Sequence, residues 1–78
     1  MTKENFERQK QFLLADLDNQ RSGNETSNRS YAFLYNEIFS LQFPVSEEWQ
    51  GRIDYFLRDS YDGDNDTAER IYRLIGKY

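Results

Sequence analysis

One apolar stretch constrains this chain more than any other feature. It runs from Ser30 to Phe43 and stops at the only proline, Pro44. On a helix, at about 100° per residue, Tyr31, Leu34, Tyr35, Ile38, Phe39 and Leu41 fall on one half of the surface, and Ala32 joins them. Phe33 falls on the other side, among Asn36, Glu37 and Ser40. A helix this apolar needs partners over most of its circumference. It must end before Pro44, because the residue preceding a proline is pushed out of the helical region.

The flanking segments read as shorter or more polar helices able to supply those partners. Thr2 to about Asn19 forms the first. Thr2 can cap it, Glu4 and Glu7 suit its first two turns, and Phe6, Leu13, Leu14 and Leu17 share a face. Phe12 lies off that face. Residues 20–28, with Gly23 in a Ser/Thr/Asn cluster, read as the longest and most mobile connection. Ser27 and Ser30 are both candidate caps for the organising helix.

After Pro44, Ser46 is a strong N-cap candidate for a third helix, with Glu47 and Glu48 placed to meet its dipole. Trp49, Ile53, Phe56 and Leu57 form the apolar face, and Tyr55 points away from it. Gly51, inside the helix, suggests a site where another helix approaches closely. A turn over 60–66 follows. Asp66 and Glu69 have the spacing of a capping box for a last helix from Thr67 to about Gly76. There Ala68, Ile71, Tyr72 and Ile75 share a face, with Leu74 off it. The expected fold is therefore all-α, a single domain built as a small bundle of four short helices.

The chain has 78 residues, near the lower limit for a core without staples. Association with a partner or a second copy is one way to add stability. Six Phe, six Tyr and one Trp must either fill that core or line a surface meant for contact. Each helix carries one bulky residue off its main face: Phe12, Phe33, Tyr55 and Leu74. They are either extra core on the second side of a helix or an exposed apolar patch that docks on another protein.

Cysteine and histidine are both absent. That removes disulfides, thiolate chemistry, imidazole catalysis and the usual zinc ligands. The N-terminal residues lack the apolar run of a signal peptide, and no stretch approaches the ~18 apolar residues of a membrane span. A cytoplasmic location is expected. The three matches to the glycosylation sequon, at Asn24, Asn28 and Asn65, read as coincidence.

The charge, −4 overall, is uneven. Between Glu47 and Glu69 there are eight acids and two bases, whereas the remaining residues carry eight bases and six acids. The Asp62–Asp66 turn invites comparison with a calcium loop. One register puts Arg58 at the first ligand position. The other puts Thr67 at the required glycine and Arg73 at the closing glutamate, so neither register works. No cofactor is expected. The paired carboxylates have no evident pocket to split their pKa values, and no nucleophile has a base beside it, so an enzyme is not expected.

The candidate contact residues are thus an acidic set, Glu47, Glu48, Asp54, Asp59, Asp62, Asp64 and Asp66, and the apolar set Phe12, Phe33, Tyr55 and Leu74. The acids could meet a basic partner protein, even as a nucleic-acid mimic occupying its groove. Direct nucleic-acid binding is the alternative. It would use Lys3, Arg8 and Lys10 with Arg21 and Arg29, since Glu47 and Glu48 make the third helix a poor reader of DNA. In size and composition the chain resembles the small acidic helical proteins that phages and mobile elements make to block host machinery, anti-CRISPR proteins among them. That resemblance implies an inhibitor or regulator acting on a partner protein and assigns no residue a role.

Overall fold

A computed structural model describes residues 2–23 and 28–77. Four helices account for most of them: α1 (Lys3–Gly23), α2 (Asn28–Phe39), α3 (Glu47–Asp59) and α4 (Asn65–Ile75). No strand occurs among the described residues.

Local chemistry sets most helix ends. Thr2 Oγ1 accepts the Asn5 amide at 3.1 Å, which starts α1. Ser46 caps α3 by accepting the Trp49 amide, with Glu47 and Glu48 in the first turn. Gly76 closes α4 in the left-handed region at φ 83°, a conformation that glycine adopts without cost. Two boundaries differ from expectation. The first helix continues past Asn19 to Gly23, so residues 20–23 of the expected 20–28 loop are helix, and residues 24–27, with the candidate cap Ser27, lie outside the described residues. The N-cap of α4 is Asp64 rather than Asp66. Its side chain accepts the Asp66 amide and the Thr67 hydroxyl.

Side-chain pairs show how the helices run. Lys10 Nζ donates to the Leu41 carbonyl and Phe6 lies on Phe43, so the start of α1 sits beside the end of α2. Glu37 meets Arg52 and Phe33 meets Phe56. Gln50 meets the Ile75 carbonyl and Asp54 meets Tyr72. Gln20 meets Thr67 and Asp16 meets Arg70. In every series one number rises as the other falls, so each helix is antiparallel to its neighbours, as in an up-down-up-down bundle.

The core lies between the four helices. Phe6, Leu13 and Leu17 from α1, Leu34 and Ile38 from α2, Ile53 from α3, and Ile71 and Ile75 from α4 are almost completely buried. Leu41 is buried as well, although it lies just beyond the helix expected to carry it.

Two helices are turned from the orientation their apolar patterns predict. In α2 the apolar arc centres on Ile38 and Tyr31, but the buried arc is shifted by about 60° at 100° per residue. Ser30 and Glu37 are inside, and Phe39, placed by the pattern on the buried half, is 63% exposed. In α4 a shift of about 60° buries Thr67 and Leu74. Leu74, expected off the main face and offered as a surface contact, is therefore core.

Gly51 does not mark a close helix approach either. A methyl group added there would meet nothing within 4 Å. Gly51→Ala should accordingly stabilise the fold by about 1 kcal/mol, since only the helix penalty of glycine is removed. A thermal melt should show a rise of about 4–8 °C.

Candidate functional site

The acidic residues of the second half do not assemble into one face. Glu47 and Glu48 begin α3, and Asp59 ends it, about 18 Å away at 1.5 Å per residue. Asp54 pairs with Arg58 one turn along α3 at 3.6 Å and sits near Tyr72 of α4. Burial raises the Tyr72 phenol pKa, and Asp54 raises it further.

Two acids of the α3–α4 turn have structural partners. Asp62 accepts the Ser30 hydroxyl at 2.7 Å, tying the turn to the start of α2. Asp64 caps α4, and its backbone amide donates to the Tyr31 hydroxyl at 3.1 Å. The Tyr61 hydroxyl donates to the Asp64 carbonyl, and its ring meets Tyr31 edge-on. A side chain at Gly63 would collide with the Tyr61 phenol. Asp66 is exposed in the first turn of α4, where its charge suits the helix dipole. Among the described residues, no group of three or more His, Cys, Asp or Glu is placed to hold a metal ion.

The basic residues of the N-terminal half are similarly dispersed. Lys3, Arg8 and Arg29 are exposed, and Lys10 is half-buried against the Leu41 carbonyl. The Arg21 side chain lies outside the described residues.

The apolar candidates separate into distinct places. Phe12, 60% exposed, stands on α1 beside Gln9, Arg70 and Arg73. Leu74 is buried. Phe33 and Tyr55 lie on α2 and α3 respectively. Phe33 stacks on Phe56 across the α2–α3 seam, with ring centroids 4.2 Å apart. Tyr55 is 65% exposed on the same helix as Phe56. The bidentate Glu37–Arg52 pair crosses the seam one turn away, and the Arg52 guanidinium lies 5.1 Å from the Trp49 ring. The α2–α3 seam thus carries the Phe33–Phe56 stack and the Glu37–Arg52 pair, with Tyr55 exposed on α3.

Phe39, stacked along Tyr35, is an exposed ring that the sequence reading missed. Its position at the edge of the apolar arc of α2 was the available signal.

No protein-family model matches the chain, and neither a curated protein nor a solved structure is detectably similar to it. No helix among the described residues is long and apolar enough to cross a membrane.

Two expectations concern the turn. Asp64→Ala should lower stability by about 1 kcal/mol through loss of the cap, whereas Asp66→Ala should change it by no more than about 0.5 kcal/mol. Urea unfolding of the two variants separates them. The second concerns pH. Burial, then the neighbouring Tyr31, raises the Tyr61 phenol above its usual value, so the folded state holds that proton more tightly. This stabilisation is complete below about pH 10 and declines as pH rises further. Melting temperature should fall on the alkaline side, and less steeply in Tyr61→Phe.

Proposed function

We propose that this chain is a small non-enzymatic protein-binding module, an inhibitor or regulator that works by covering a surface of a partner protein. Its contact is the aromatic face of α2 and α3. The observation that carries this reading is the Phe33–Phe56 stack beside exposed Tyr55. Large rings held by a rigid floor contribute much contact area at little entropic cost, which is why aromatic residues dominate binding hot spots.

The dispersal of the acids favours this face over a carboxylate array as the main contact. Two of the acids in the turn are already engaged within the fold. The remaining exposed acids border this face or act on solubility and on the rate of encounter.

The reading is tested by capture from the lysate of the source cell. Phe33→Ser with Tyr55→Ser should lose partner recovery by at least about tenfold, a loss of roughly 1.4 kcal/mol or more. Phe12→Ser, on the far side of α1, should leave recovery unchanged. Circular dichroism checks that all variants remain helical, and Tyr55→Ser alone guards against a folding defect from breaking the Phe33 stack. Recovery equal to the parent with the double variant would reject the face, and recovery of no protein by the parent would reject the module.

A further inference from the structure

We infer that the occupant of the α2–α3 aromatic face is a helix with an apolar middle and a basic residue toward each end. The inference rests on the protein-binding reading above and specifies the partner's chemistry.

Four residues of α3 carry the argument. Glu48, Arg52, Tyr55 and Asp59 lie at steps of four, three and four, so they fall within about 60° of one another on the helix. All four are exposed. They form a straight stripe beside the Phe33–Phe56 stack. Its one cation is already compensated, because Arg52 is held bidentately by Glu37 from α2. No basic side chain among the described residues pairs with Glu48 or Asp59. The stripe therefore presents Tyr55 between two carboxylates that no basic side chain pairs, about 16 Å apart along the axis.

That charge pattern selects among occupants. In a symmetric pair of this stripe run antiparallel, Glu48 of one copy would face Asp59 of the other, twice. Run parallel, each acid would face its own counterpart. Either arrangement sets acid against acid, so a second copy is disfavoured on this face. Phosphates of a nucleic acid or of an anionic lipid surface meet the same repulsion. A helix laid along the seam with Arg or Lys about eleven residues apart would satisfy both carboxylates while its apolar middle covers Phe33, Phe56 and Tyr55.

Two synthetic helical peptides of about 18 residues test this against the intact protein. They share an apolar middle and differ only in carrying Arg or Glu at the two flanking positions. Binding is followed by amide chemical shifts. The Arg peptide should bind at least about tenfold more tightly than the Glu peptide, move resonances of α2 and α3, and weaken as salt rises from about 50 to 300 mM. The double variant Glu48→Lys with Asp59→Lys should reverse the preference. Glu48→Gln with Asp59→Asn should abolish it while leaving the helices intact.

Equal binding of both peptides on α2 and α3 would overturn the charge assignment while leaving the aromatic face in place. Shifts confined to other helices, or no binding tighter than about 1 mM, would overturn the inference itself. Capture from lysate then decides separately whether the chain is a binding module.

Discussion

The Glu37–Arg52 contact governs more of this structure than its size suggests. Glu37 is buried, and a buried carboxylate must be paired and hydrogen-bonded to be tolerated. Arg52 supplies both bonds from α3 while keeping much of its own side chain in water. Once Glu37 is drawn inward, α2 cannot present the centre of its apolar arc to the core. The helix turns, Phe33 is brought onto Phe56, and Phe39 is carried outward. One polar contact thereby sets which rings are core and which form the exposed face.

A second set of polar contacts acts at the other end of α2. Ser30, also buried, donates to Asp62, and Tyr31 accepts the Asp64 amide. The same turn launches α4 through the Asp64 cap, with Thr67 bonded to both Asp64 and Gln20. Burying Thr67 turns α4 just as burying Glu37 and Ser30 turns α2, and it brings Leu74 into the core. The acidic composition of the second half is thus divided among separate tasks. Asp64 caps, Asp62 tethers, Asp54 pairs, Glu47 and Glu48 meet a helix dipole, and Asp59 and Asp66 remain in solvent.

This division bears on function. A chain with so many aromatic residues fills its core and still leaves Phe12, Phe33, Phe39 and Tyr55 substantially exposed. Phe12 stands apart on α1, and Phe39 lies along Tyr35. Phe33 is braced by Phe56 and flanked by the Glu37–Arg52 pair, and Tyr55 is exposed on the same helix as Phe56. These exposed rings are the contact proposed above.

How much of this was legible depended on the range of the interaction involved. Helix number, the stop before Pro44, the Ser46 cap and the Gly76 terminus could all be read from the chain, because each follows from backbone chemistry within a few residues. That Phe12 and Tyr55 lie off the main faces was legible too, but whether an off-face residue is exposed, as these are, or core, as Leu74 is, was left open. Three features were not: the burial of Leu74, the exposure of Phe39, and the engagement of Asp62 and Asp64. Periodicity weighs apolar residues only, and it cannot see a Ser, Thr or Glu that becomes buried because another helix brings it a partner. The sequence by itself determined that there are four amphipathic helices and the caps that follow from local chemistry, Ser46 and Gly76 among them. The tertiary structure alone decided how far α2 and α4 rotate about their axes, because their buried polar groups had to be satisfied from across the bundle.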